Sequence, residues 1–207
     1  MQIDILGGSY EHKYKDWNSQ RTINWYPKIS NQNEKNKTQI ALFPRPGLTQ
    51  LANLSGNSIR GLFTARTRTQ ERLFAVTGVN LYEVNIDGST TSIGALTGMS
   101  VGSNSKIYMA LNGNNELMMQ DPLAAYIFDL DTNVLQRITS VDYNLSTTLD
   151  YADGYFITSG VDGRVHFSDL NDGQTWPGLN FFTPTFKPDG VRSIVASREE
   201  IYCFGDE

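Results

Sequence analysis

The sequence predicts an all-β fold: a β-propeller of four-stranded blades about 44 residues long, incomplete in this chain at about three and a half blades. Three observations predict it. One layout recurs four times: a short apolar strand ending in alanine, a polar tip, then a second apolar strand. The composition favours pleated sheet, with ten Tyr and ten Phe beside many Val, Ile and Thr. No long amphipathic helical pattern interrupts the repeat.

The repeat can be read residue by residue. Leu62-Phe63-Thr64-Ala65 is followed by Leu73-Phe74-Ala75-Val76, and Ile107-Tyr108-Met109-Ala110 by Leu117-Met118-Met119. Leu149-Asp150-Tyr151-Ala152 is followed by Tyr155-Phe156-Ile157-Thr158, and Ile194-Val195-Ala196 by Ile201-Tyr202-Cys203-Phe204. The alanines at 65, 110, 152 and 196 are spaced by 45, 42 and 44 residues. Innermost strands crowd a propeller axis, where Ala fits and Leu does not. An ordinary β-sandwich with evenly spaced strands is the alternative, and it is disfavoured because the spacing holds over four units.

The outer strands of each unit follow. Leu81–Val84, the turn Asp87-Gly88 and Thr91–Ile93 read as a hairpin. Tyr126–Asp129, Asp131-Thr132-Asn133 and Val134–Ile138 read as another. Arg164–Phe167 leads into Asp172-Gly173 and Trp176. The fourth unit reaches Glu207 after two strands, so a fragment of a longer protein is expected, or strands supplied from elsewhere.

Residues 1–57 carry no repeat and read as an arm and strand, with the partial propeller at 58–207. Asn24-Trp25-Tyr26-Pro27 is aromatic and ends in a strand-breaking proline. Residues 30–39 are wholly polar, an exposed loop. Ile40–Phe43 is a strand, stopped by the rigid turn Pro44-Arg45-Pro46-Gly47. Trp17, Trp25 and Tyr26, with Pro44 and Pro46, are the interface candidates; the aromatics fit a local mini-core equally well.

Charge and motifs exclude several functions. The net charge is −5, and no basic stripe suits a nucleic-acid interface. Arg60, Arg66, Arg68 and Arg72 with Glu71 read as a solvated hairpin tip. Cys203 stands alone, so no intrachain disulfide can form; it reads as a small core residue in a chain made in a reducing cytoplasm. No apolar run approaches the roughly 18 residues of a membrane span. His12 and His166 are far apart and have no ligand spacing. His166 alternates with Val165 and Phe167 as an ordinary strand residue.

Asp129-Leu130-Asp131-Thr132-Asn133 begins like a calcium loop, but Val134 and Ser140 stand where the loop's glycine and last acid belong, so a hairpin turn is expected. There is no phosphate-binding glycine loop and no nucleophile elbow. No catalytic, cofactor or metal site is expected.

Asp169-Leu170-Asn171-Asp172-Gly173-Gln174-Thr175-Trp176 resembles a degenerate Asp-box, the Ser-x-Asp-x-Gly-x-Thr-Trp hairpin of sialidase-type propellers. Asp169 stands at the Ser position and Asn171 at the Asp position, while Gly173, Thr175 and Trp176 match. In that family the box is a structural turn, so the resemblance implies fold and not catalysis.

A second resemblance spans most of the chain. Ser19-Gln20-Arg21-Thr22-Ile23-Asn24-Trp25-Tyr26-Pro27, followed by Ala41-Leu42-Phe43-Pro44-Arg45-Pro46-Gly47-Leu48, resembles the opening of the packaged-DNA stabilisation proteins of short-tailed phages, also described as tail hub or nozzle proteins. Thr175-Trp176, Leu179-Asn180-Phe181, Pro188-Asp189-Gly190 and Glu199–Gly205 resemble a later stretch of that family, in its order. Trp25 stands where the family often has an aliphatic residue, and Lys28 where an acid is common.

The resemblance implies a structural virion protein without catalysis, in the virion tail after assembly in the host cytoplasm. Its implied partners are other copies in a ring, a hexamer, with phage adaptor or connector proteins above and a needle or spike below. Packaged DNA would be met only through the channel, without sequence-specific binding or membrane insertion. A carbohydrate-binding or sialidase-like tail propeller is the alternative, motivated by Trp176 and the near-Asp-box. A host-type interaction propeller is disfavoured by the absence of Gly-His and Trp-Asp repeats.

Overall fold

Strands account for every regular element of the computed structural model, which describes residues 25–30, 39–54, 58–101, 105–160, 162–184, 190–197 and 200–205. The chain divides into two compact units, Met1–Gln50 and Leu51–Glu207. Among the described residues there is no helix.

The first unit holds an antiparallel hairpin of β1 (Trp25–Ser30) and β2 (Gln39–Pro44), in register from Trp25 opposite Pro44 to Ser30 opposite Gln39. Pro27 does not end β1, contrary to its expected role as a strand breaker; it pairs with Leu42 inside the ladder. A two-stranded sheet has only edge strands, and a proline without an N–H is tolerated where that side needs no partner. The polar stretch between the strands, 31–38, lies outside the described residues.

The second unit is three four-stranded antiparallel sheets and a two-stranded one. Blade 1 is β3 (Ile59–Arg66), β4 (Glu71–Thr77), β5 (Asn80–Val84) and β6 (Thr90–Ala95). Blade 2 is β7 (Tyr108–Leu111), β8 (Glu116–Gln120), β9 (Ala125–Asp129) and β10 (Val134–Arg137). Blade 3 is β11 (Ser146–Ala152), β12 (Tyr155–Gly160), β13 (Val165–Phe167) and β14 (Phe181–Phe182). The fourth repeat contributes β15 (Ser193–Ser197) and β16 (Glu200–Phe204). Strands run in sequence order across each blade, and the first strands of successive blades approach one another. This is the open β-propeller that the repeat predicts.

The core lies between blades. Phe63, Ala65, Phe74 and Val76 of blade 1 face Met109, Leu117, Met119, Tyr126 and Phe128 of blade 2. The other face of blade 2, with Ala110, Met118 and Ile127, meets Leu149, Tyr151, Phe156 and Trp176. Ile157, Val165 and Phe167 on the far side of blade 3 meet Ile194, Ile201 and Cys203. Blades 2 and 3 are therefore packed on both faces, which is why their strands read as continuous apolar runs and not as strict alternation. Burying a side chain the size of Phe74, Phe128 or Phe156 is worth about 1.5–3 kcal/mol.

Antiparallel order sorts the connections. Turns between first and second strands, and between third and fourth, lie at one end of the blades, here called the turn end. Turns between second and third strands, and the links between blades, lie at the other, the joint end. Among the described residues, four non-glycine residues hold positive φ, Asn115, Asn133, Asp153 and Asn171, and all are at the turn end. Asn and Asp tolerate that backbone region better than other side chains.

Candidate functional site

Polar side chains converge at the joints between blades. At the first joint Arg60 is buried, not solvated as its charge run suggests: the Arg60 and Asp121 side chains are 1% and 0% exposed. Arg60 lies at the register shift between Ile59 and Gly61, which turns it off the ladder and into the joint. Its guanidinium donates to Gly78 O (2.5 Å), Ser105 O (2.8 Å), Ser105 Oγ (3.0 Å) and Asp121 Oδ2 (3.0 Å). Asp121 also accepts the Ser100, Leu123 and Ala124 N–H groups. A buried ion pair persists only when its remaining donors and acceptors are met, and here they are.

The other arginines of that run differ from it. Arg66 pairs with Glu71 at an exposed tip, as expected. Arg72 is half-buried: it makes a double hydrogen bond to Glu83, donates to Leu130 O (3.1 Å) and Asn133 Oδ1 (2.9 Å) of blade 2, and lies over the rings of Phe74 and Phe128. That hydrogen bond to Arg72 holds the Glu83 carboxyl below its ordinary range, with desolvation opposing and the guanidinium charge assisting.

The second joint uses neutral groups. Gln120 Nε2 donates to Thr148 O (2.7 Å), and Tyr143 OH donates to Gln120 Oε1. Burial first, and the Asp121 charge second, push the Tyr143 hydroxyl well above its usual range.

The Asp-box-like turn forms the turn end of the same joint. Its caps are offset from the motif: Asp172, and not Asn171, accepts backbone N–H groups, from Gln174 (2.8 Å) and Thr175 (3.3 Å). Asn171 instead takes the left-handed conformation, its N–H donating to Gly154 O (2.7 Å). Asp169 accepts the Leu170 N–H (2.8 Å), and its own N–H donates to Thr175 O (2.8 Å). Trp176 is 2% exposed, donates from Nε1 to Gly173 O (2.9 Å) and packs edge-on against Tyr143.

Gly173 lies so close to Phe156 and Ile127 that a Cβ would overlap both. Its N–H donates across the joint to Glu116 Oε2 (3.0 Å), which also accepts Asn112 Nδ2 (2.6 Å). Desolvation pushes the Glu116 carboxyl above its ordinary range, assisted by the charges of Asp172 and Asp129, although these two hydrogen bonds pull it back.

The remaining candidates are quickly placed. Asp129 Oδ1 accepts the Asp131 and Thr132 N–H groups, an Asx turn and not a cation loop. His166 is nine-tenths buried, with Nε2 facing Asp162 (3.1 Å) and Asn144 (3.3 Å). Among the described residues, no group of three His, Cys, Asp or Glu side chains could hold a metal ion. Cys203 is a free thiol, half-buried against blade 3, and burial raises its pKa.

In the first unit, Trp25 and Tyr26 are 51% and 48% exposed, Tyr26 stacks on Phe43, and Pro44 and Pro46 are exposed. Trp17 lies outside the described residues. The joints were the features that sequence reading missed, because Arg60 and Asp121 are 61 residues apart and only the repeat register could have paired them.

The first two joints spend their polar side chains on locking blade to blade in an open β-propeller. The family described as "Bacteriophage P22 Gp10, beta-propeller" matches residues 1–207, and the chain belongs to this family of phage structural proteins. No curated protein matches the chain. Two solved structures are similar in fold. The computationally designed Ika4 protein is 13% identical, with a TM-score of 0.51, over 77% of this chain and 94% of that one. The designed Ika8 protein is 12% identical, with a TM-score of 0.51, over 90% of this chain and 54% of that one.

Proposed function

We propose that this protein is a tail hub or nozzle subunit that closes the portal channel and retains packaged DNA, without catalysis. The observation that carries the reading is the family match along the whole of residues 1–207. The joints support it, since they spend charged and polar groups on rigidity and leave no convergent acid, base and nucleophile among the described residues. In this reading copies form a ring, a hexamer, between the adaptor or connector proteins and the needle or spike. The exposed aromatics Trp25 and Tyr26, with Pro44 and Pro46, contact a neighbour. DNA passes the ring without sequence-specific contacts, and the protein resides in the virion tail after assembly in the host cytoplasm.

The glycan-binding alternative drew on Trp176, which is 2% exposed with its N–H satisfied and offers no stacking surface to a sugar. The test is reconstitution with phage connector components, followed by electron microscopy. Ring-shaped particles on the connector are expected; absence of both binding and rings would overturn the reading.

A further inference from the structure

The fourth unit repeats the first two strands of blade 1. Val191-Arg192-Ser193-Ile194-Val195-Ala196-Ser197 follows the pattern of Ile59-Arg60-Gly61-Leu62-Phe63-Thr64-Ala65. Glu200-Ile201-Tyr202-Cys203-Phe204 likewise follows Arg72-Leu73-Phe74-Ala75-Val76. The strand registers agree. Val195 lies opposite Tyr202 as Phe63 lies opposite Phe74, and Ile194 opposite Cys203 as Leu62 opposite Ala75. By register, Ser197 and not Ala196 therefore stands at the place of Ala65.

The two units bury opposite faces. Blade 1 turns Phe63, Phe74 and Val76 into the core it shares with blade 2. The fourth unit turns the other set, Ile194, Ile201 and Cys203, into the core it shares with blade 3. The exposures invert accordingly. Leu62 is 62% exposed, where its counterpart Ile194 is 4% exposed. Tyr202 and Phe204 are 48% and 53% exposed, where Phe74 and Val76 are fully buried. Beside Leu62, on the same face of blade 1, Leu51, Thr64, Leu73 and Val84 line a groove of about 630 Å³. Each face left open on one unit is thus the face that its counterpart buries in a joint.

We propose that two copies of this chain close one propeller, the open face of each fourth unit docking on the open face of the other copy's blade 1. The two open faces are of different kinds, and each needs a complement of the other kind. A second copy presents both. The junction would continue a packing that the chain already makes three times within itself. Each copy occupies four blade positions, so two copies fill eight, within the range of about 4–8 blades in propellers. A head-to-tail contact between unlike faces gives a closed assembly when its rotation closes. Tyr202 and Phe204 are the aromatic anchors. Arg192, unlike Arg60, lines the cavity of the third joint with Asp162, so the new junction needs no carboxylate to receive it. The inference does not depend on which assembly the propeller serves.

The test is analytical ultracentrifugation of the full chain at about 1–50 µM. The wild type is expected to sediment as a dimer. Leu62→Asp and Tyr202→Asp each place a charge on one open face, and each should raise the dimer dissociation constant by about 30-fold or more. Each variant keeps one sound face, so an equimolar mixture of the two should regain a heterodimer held by a single junction. Both positions are exposed, so the far-UV circular dichroism of each variant should match the wild type; if an aspartate variant does not fold, Leu62→Ser and Tyr202→Ser decide the matter. A wild type that is monomeric over that range would overturn the proposal. So would a dimer that survives both substitutions, a dimer that yields to only one of them, or a mixture that stays monomeric.

Discussion

Asp121, buried, and Glu116, half-buried, show how differently two carboxylates can serve neighbouring joints. Asp121 meets a guanidinium and three backbone N–H groups, and its side chain has no exposure. Asp121→Ala strands the Arg60 charge in the joint and should cost about 3–5 kcal/mol, read from urea denaturation. Replacing both partners, as in Arg60→Met with Asp121→Leu, removes the stranded charge and should recover part of that loss.

Glu116 has no cation, and its folded-state pKa lies above the ordinary value of 4.5. The folded chain therefore holds this proton more tightly than the unfolded one, so the contribution of Glu116 to stability is greatest at acid pH and falls as pH rises from about 4.5 through the folded value. Glu116→Gln abolishes that fall while keeping an oxygen for Gly173 N–H and Asn112, both of which use Oε2. The stability difference, variant minus wild type, should become more positive from pH 4 to pH 7. Asp129 and Asp162, whose pKa values are lowered, slope the other way but are common to both proteins and cancel. An unchanged difference across that range would show that the Glu116 carboxyl titrates normally.

Among the elements, the turn after β13 carries the clearest division between what a motif states and what a backbone does. Asp172 caps two N–H groups, whereas Asn171 supplies a left-handed residue. Asp172→Ala should therefore cost about 1–2 kcal/mol, while Asn171→Gly should change stability by less than about 0.5 kcal/mol. Equal losses in chemical denaturation would mean that the cap does not reside on Asp172. Truncating the buried Trp176 to Ala should cost about 3–5 kcal/mol, since it opens a cavity beside Tyr143 and frees Gly173 O.

The strands themselves were legible, because apolar runs such as Leu117–Met119 and Tyr126–Phe128 face neighbours on both sides and read as strands in any register. The offset of the cap was not legible: Asp169, Asn171 and Asp172 are all short oxygen-bearing side chains, and φ decides which one turns inward. Pro27 misled for a related reason, since a proline breaks a ladder only when its missing N–H is needed, and sequence does not say which strand is an edge. Arg60 and Arg72 misled because charge implies solvent until a partner is known, and Asp121 enters Arg60's surroundings only through the stacking of blades.

At the scale of the whole molecule, rigidity and contact are separable properties, because the chain divides at Gln50 and Leu51 into units with their own internal structure. The second unit draws its cohesion from three inter-blade cores and their polar locks. The hairpin β1–β2 instead exposes Trp25 and Tyr26, half-covered aromatics of the kind that anchor protein interfaces. If these residues serve a neighbour and not the fold, replacing them should separate assembly from stability. Trp25→Ser with Tyr26→Ser should leave the cooperative unfolding of the propeller within about 0.5 kcal/mol of wild type, as for surface substitutions generally. The same variant should lose ring formation on connector components in electron micrographs and co-sedimentation. Rings that form undiminished would place the interface elsewhere, and a large loss of propeller stability would assign the two aromatics to the fold.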